Sequence, residues 1–392
     1  MSFGKLERRE GPPGPHARGW KRALARAIVR VERPIDAAVF RWKLAHDALD
    51  PLQIIAYRGF GTARSLYVRA RVLERFGLGT LRGGPTLWQT MLHSVRRFST
   101  DEVPGAIVRV EYGGTSIEAQ SDDEGYIDVA FPLEGAPAGA DAPWHHVRLE
   151  LLRPKARGQG EVVASAPVLV PPPGARFAVV SDVDDTIVRS HAYRFVRHAR
   201  AMLLERAAGR EAFAGAAALY RALAAGPTGR PQNPVFYASS SPTNVYDLFE
   251  EILEVHGFPR GPIFLKDFGL DEETLFKAEH GSHKRKIIGR VLATYPELPF
   301  VLVGDSGQED AAIYRDLVRA HPGRIAAVYI RDVWPKRREA VAAIAAEVRE
   351  AGVGMWLVRD SAEAAEHARR AGFITDDDAA RVRREVARSI AG

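Results

Sequence analysis

The 392-residue chain contains no cysteine. Disulfides and thiolate metal sites are thereby excluded, so any metal must rest on oxygen or imidazole ligands. No uninterrupted run of about 18 apolar residues occurs, too little for a helix that crosses a bilayer. The opening MSFGKLERREGPPGPH lacks the apolar stretch of a secretory signal. A cytoplasmic protein is expected, with peripheral membrane contact left open. A large charge of either sign is missing too: the formal net charge is +6, and residues 1–50 hold eleven Lys or Arg against six Asp or Glu. The basic balance is the one hint of nucleic acid and no recognition motif joins it, so no nucleic-acid partner is expected. With 46% hydrophobic and 27% charged residues the chain reads as globular, and its length calls for two or three domains.

Three segments follow from the patterning. Residues 1–50 form a basic amphipathic helical segment, with Trp20, Leu24, Ala27, Ile28 and Val31 at helical spacing and Pro34 as a break. Such a helix suits an anionic membrane, or packing on the next domain with its arginines solvated. Residues 51–170 read as a small β-sandwich: seven short β-branched or aromatic runs separated by Gly- and Asp-rich turns, with one helix near 86–98. RGFGTARS at 58–65 is too loose for a phosphate-binding loop and is expected to be a hairpin turn. The prolines of VPPPG at 170–174 mark a stiff linker.

Residues 175–392 alternate compact apolar strands with helices. That pattern predicts a doubly wound, parallel-sheet α/β domain, whose ligands collect at the C-terminal strand ends. Polar motifs stand at those ends. The first strand runs into DVDDT, and alternation turns Asp182 and Asp184 one way and Val183 into the core. One carboxylate can attack phosphorus while the other handles the leaving-group proton. An acidic turn with a structural cation is the plainer alternative. The second strand ends FYASSSPTN, where Ser241 fits an N-cap and Pro242 a first helical turn, leaving Ser239 and Ser240 facing a helix N-terminus that suits phosphate. HGSHKRK at 280–286 begins a helix whose Lys284 could neutralise phosphate or Asp182. VGDSGQED at 303–310 supplies Asp305 and Asp310, hard ligands suited to Mg²⁺; Asp310 could equally orient Lys284.

The order of these motifs resembles the haloacid-dehalogenase superfamily, and Asp184 points to its phosphatase branch. SDVDDTI, FYASSSPTNVYDLFEEILEVHGFPRGPIFLKDFG, GSHKRKII and LPFVLVGDSGQEDAAIY narrow the resemblance to the actin-patch-associated phosphatidate phosphatases, relatives of lipin, over about residues 175–332. The resemblance implies a haloacid-dehalogenase-like, Rossmannoid fold and Mg²⁺-dependent dephosphorylation of phosphatidate to diacylglycerol. Asp182 would be the nucleophile, Asp184 the acid/base, and Thr186, Ser239 and Ser240 the substrate-binding and positioning groups. Lys284 would be the charge neutraliser, chosen over Lys277 and Lys286 because it follows histidine at a helix start, as in the family. The metal would rest on Asp182, the backbone carbonyl of Asp184, Asp305 and Asp310.

Only about fifty residues separate Thr186 from Val235, cramped for a large lid, so a phospholipid presented at a membrane surface suits the site. The stretch 193–205, apolar on one side and arginine-rich, could flank the entrance and touch headgroups. A soluble phosphomonoester or a phosphoprotein is the alternative substrate. A non-catalytic lipid- or protein-binding adaptor is the alternative of another class, and the full set of competent residues speaks against it.

Overall fold

The computed structural model describes residue 40 and residues 42–75, 102–133, 143–184, 186–187, 213–230, 232–266 and 281–391. Most of the helical segment expected over 1–50, the stretches 86–98, 135–142 and 193–205, and Lys277 lie outside the described residues.

The first half is a sheet of eight strands: β1 (Leu52–Ala56), β2 (Gly59–Gly61), β3 (Ser65–Glu74), β4 (Ile107–Tyr112), β5 (Thr115–Gln120), β6 (Tyr126–Pro132), β7 (Trp144–Arg153) and β8 (Val163–Leu169). They join in the order β1-β3-β2-β8-β7-β4-β5, with β6 paired to β3. Alternating residues explain the pairing. Leu66, Val68, Ala70 and Val72 of β3, Ile127 and Phe131 of β6, Val147, Leu149 and Leu151 of β7, and Ala166 and Val168 of β8 all enter one core. The stretch 58–65 is more than a turn. Gly59–Gly61 is a strand of its own, antiparallel to β3 and parallel to β8, and only residues 62–64 form the connection. Gly59 allows this approach, because a Cβ there would sit 2.1 Å from the carbonyl oxygen of Tyr67.

The second half is a six-stranded parallel sheet of β9 (Ala178–Asp182), β10 (Val235–Pro242), β11 (Ile263–Lys266), β12 (Phe300–Asp305), β13 (Ile325–Arg331) and β14 (Gly354–Val358). Their order is β11-β10-β9-β12-β13-β14, and every neighbouring pair is parallel. The strands carry continuous apolar runs because both faces are covered. Val179, Val301, Val303, Ala327 and Tyr329 pack with α1 (Ala216–Ala225), α2 (Tyr246–Val255), α6 (Ser361–Arg370) and α7 (Asp376–Ala391). Ala178, Val180, Phe300, Leu302, Val328 and Ile330 pack with α3 (Gly281–Thr294), α4 (Asp310–Ala320) and α5 (Arg338–Glu350). The order reverses between β9 and β12, the crevice where ligands of open α/β sheets bind.

The two sheets are joined by aromatic and polar contacts. Phe60 of β2 is buried edge-on against Phe236 and Phe264, with ring centroids 6.2 and 5.6 Å away. The Arg58 backbone N–H donates to the Tyr246 hydroxyl at 2.9 Å, and its guanidinium meets Glu250 at 2.8 Å. Truncating Phe60 leaves a cavity shared by both halves. Phe60→Ala should therefore cost about 3 to 5 kcal/mol of unfolding free energy, and Phe60→Leu clearly less, as read from urea denaturation. A Phe60→Ala cost under about 1 kcal/mol would show that this contact does not hold the halves together.

Candidate active site

Asp182 is the last residue of β9, and Asp305 the last of β12, on the two central strands of the parallel sheet. Along β9 the alternation that sends Val180 toward α3 sends Asp182 the same way, while Val183 is buried in the opposite core. On α3, Lys284 lies one turn before Ile288, a residue packed under the sheet, so its ammonium reaches the same point from below. The Lys284 Nζ atom is 2.7 Å from Asp182 Oδ1 and 2.7 Å from Asp310 Oδ1. All three side chains are at most 3% exposed.

Asp310 opens α4, where a carboxylate is favoured by the helix N-terminus. Its second oxygen accepts from the backbone N–H of Asp305 at 3.2 Å. Asp310 therefore anchors both the lysine and the end of β12. Gly304 makes this possible: a Cβ there would fall 2.6 Å from Asp310 Oδ2 and 2.9 Å from the Tyr314 ring. Asp305 Oδ1 accepts from the backbone N–H groups of Gly307 and Gln308, at 2.5 and 3.0 Å.

Asp184 is held from the other side. Ser239 and Ser241 both donate to its Oδ2, at 2.6 and 3.1 Å, and Ser239 Oγ accepts the Ser241 backbone N–H at 2.9 Å. Ser241 is thus no helix cap. β10 extends through Pro242, a 3₁₀ turn of Thr243–Val245 follows, and α2 begins only at Tyr246. The register of β10 against β11 is irregular between Ala238 and Pro242, the span that holds the serines. Ser240 lies between the two bonded serines. Thr186 donates to Asp182 Oδ2 at 3.3 Å, and the Gln308 side-chain nitrogen lies 3.5 Å from the Asp184 carbonyl. Ser181 donates to the Asp182 carbonyl at 2.5 Å and meets the Tyr220 hydroxyl, also at 2.5 Å.

The sequence thus pointed to Asp182, Asp184, Thr186, Ser239, Lys284, Asp305 and Asp310, and the structure brings these side chains together. It adds Ser241, whose place in the sequence suggests a helix cap, and Gln308, whose only signal is its place within VGDSGQED. Lys286 is exposed on α3, without the burial of Lys284.

Charge in this pocket is unbalanced. Burial pushes the Asp182 carboxyl well above the ordinary carboxylate range; Lys284 pulls it down, and Asp310, Asp305 and Asp184 push it up again. Burial opposes the charge on Lys284, but Asp182 and Asp310 outweigh it and hold the ammonium above its ordinary pKa. Asp182, Asp305 and Asp310 each offer an oxygen within 4.8 Å of the others. One ammonium against three buried carboxylates leaves room for a divalent cation, and an all-oxygen set suits a hard one.

Residues 177–332 match the family model described as phosphatidate phosphatase APP1, catalytic domain. The phosphatidate phosphatase APP1 of Saccharomyces cerevisiae is 34% identical over 96 residues, which are 24% of this chain and 16% of that protein. An uncharacterized protein of Schizosaccharomyces pombe is 22% identical over 157 residues, 40% of this chain and 25% of that one. The chain thus spans a quarter or less of the curated relatives it matches. A carbohydrate acetylesterase of Xanthomonas citri aligns over 74% of this chain and 72% of its own at 13% identity, with a TM-score of 0.25, too low to bear on the fold.

Removing the ammonium strands two buried carboxylates. Lys284→Ala should lower the unfolding free energy by about 3 to 5 kcal/mol in urea titrations without added metal. A loss below about 1 kcal/mol would mean that the three side chains do not form the buried cluster described.

Proposed function

From a catalytic segment that belongs to the phosphatidate phosphatase APP1 family, we propose a Mg²⁺-dependent phosphatase that converts phosphatidate to diacylglycerol through an aspartyl-phosphate on Asp182. In this reading the segment has the haloacid-dehalogenase type of doubly wound fold and the strands before it form a β-sandwich-like domain. The observation that carries it is the pairing of a buried carboxylate held by Lys284 and Thr186 with a second carboxylate held by Ser239 and Ser241.

In the first step an oxygen of Asp182 attacks phosphorus, the bond to the lipid oxygen breaks, and Asp184 gives that oxygen its proton. In the second, Asp184 takes a proton from water, the water oxygen attacks phosphorus, and the bond to Asp182 breaks. Inorganic phosphate leaves and both aspartates return to their starting state. Lys284 and Thr186 hold the nucleophile in place, and Lys284 offsets the charge that burial penalises. Both serine hydroxyls meet the same oxygen of Asp184, which fixes the carboxyl plane and leaves its other oxygen for proton transfer. Ser240 would contact the phosphate. Asp182, Asp305 and Asp310, with the Asp184 carbonyl, would hold the cation. When bound, it would offset phosphate charge and orient the transferring group.

The substrate is tested with phosphatidate in mixed micelles beside a panel of soluble phosphomonoesters. Release from phosphatidate should exceed release from the panel, stop with EDTA, and fall at least about a thousandfold in Asp182→Asn with circular dichroism unchanged. Retained turnover in Asp182→Asn would end the nucleophile assignment. A preference for the soluble panel would end the lipid assignment and leave the mechanism.

Mg²⁺ binding has a readout besides turnover. A cation that binds the folded state at a hundred times its dissociation constant adds about 2.7 kcal/mol of stability. Mg²⁺ should raise the thermal midpoint of the wild type, and Asp305→Asn should remove most of that rise. An equal rise in both would place the cation elsewhere.

A further inference from the structure

The loop that leaves β13 lies at the same end of the parallel sheet as the site, because all six strands point one way. It reads Asp332, Val333, Trp334, Pro335, Lys336, Arg337, Arg338. Trp334 is 53% exposed, among the few large apolar side chains that face solvent in the described residues. Lys336, Arg337 and Arg338 are exposed beside it. At the end of the next strand, β14, Arg359 is 80% exposed. Within the loop three cations stand against one carboxylate, Asp332, which is paired with Arg338.

This rim is fastened to the catalytic residues through the backbone. The N–H groups of Val333 and Trp334 both donate to the hydroxyl of Ser306 at 3.0 Å, and Ser306 follows Asp305. Arg337 donates to the carbonyl oxygen of Gln308, whose side chain reaches the Asp184 carbonyl. An indole held out of the core, followed along the chain by three exposed cations and tied to a phosphate-handling loop, has the chemistry of an interfacial anchor. Indole rings settle at the level of lipid headgroups, and each Lys or Arg near an anionic leaflet adds attraction.

We infer that the rim 333–338 docks on an anionic bilayer surface, with Trp334 entering the headgroup layer and Lys336 and Arg337 facing lipid phosphates, and so sets the site against the membrane. The inference rests on the lipid-phosphatase reading and adds to it the surface that meets the membrane. Charge complementarity selects the occupant: a second copy of the chain would bring the same cations to the same face.

The test uses the full chain and vesicles of phosphatidylcholine with about 30% phosphatidylserine, so that binding is measured without a substrate. Trp334→Ala should weaken co-sedimentation about tenfold, the loss of roughly one partly buried indole face. Lys336→Glu should weaken it about thirtyfold, from two units of charge at the surface, and added salt should narrow that gap. Hydrolysis of phosphatidate in vesicles should fall in step. Hydrolysis of dispersed dioctanoyl phosphatidate should stay within about twofold of the wild type, since neither side chain touches the catalytic groups.

Unchanged vesicle partition in both variants overturns the docking surface alone. A concentration-dependent dimer that disappears in Trp334→Ala while vesicle binding stays gives the rim to a second copy and overturns it as well. A wild type that releases no phosphate from dispersed phosphatidate overturns the substrate reading, and with it the purpose assigned to the rim.

Discussion

A buried ammonium between two buried carboxylates governs the arrangement of the parallel sheet. Neither aspartate could sit at the bottom of this crevice as a lone charge, and Lys284 could not stay charged there alone. The three groups come from β9, α3 and α4, far apart in the chain, so their meeting fixes where α3 crosses beneath the sheet and where α4 starts. The strand order supplies the room. The strand order reverses between β9 and β12, and their ends lie side by side. Asp182 and Asp305 take up those two ends.

The balance left over is informative about chemistry. One positive charge for three carboxylates is an incomplete structure in electrostatic terms. A hard cation is one remedy, and Asp182, Asp305 and Asp310 offer it oxygen ligands, while Asp184 is held apart from them by two serine hydroxyls. The two aspartates thus differ in their surroundings, a buried ammonium for one and serine hydroxyls for the other, although the residue type is the same.

Much of this was legible in the chain because it depends on local pattern. Continuous apolar runs announced parallel strands buried on both faces. Alternation put Asp182 and Asp184 together and buried Val183. What escaped was non-local or irregular. Ser241 beside Pro242 has the look of a helix start, yet β10 continues through both because its pairing with β11 slips there and Asp184 claims the hydroxyl. Gly59–Gly61 looks like a turn since three residues carry no periodicity, and only the parallel contact with β8 makes it a strand. The branching of β6 onto β3 is equally invisible, for register between distant strands is a property of the folded sheet.

The parallel sheet also separates two notions of a domain. Residues 177–332 are the piece that matches the family, yet they are not the piece that buries its own surface. Phe236 and Phe264 are covered in part by Phe60 from the first half, and Tyr329 by Trp356 and His367 from β14 and α6. The C-terminal helix α7 fills the groove beside α1 through Val382 and Val386. Cut at the limits of resemblance, the segment would expose these faces as sticky edges. The unit that inheritance has kept recognisable is smaller than the unit that physics requires to fold, so transplanting the chemistry means carrying both flanks with it.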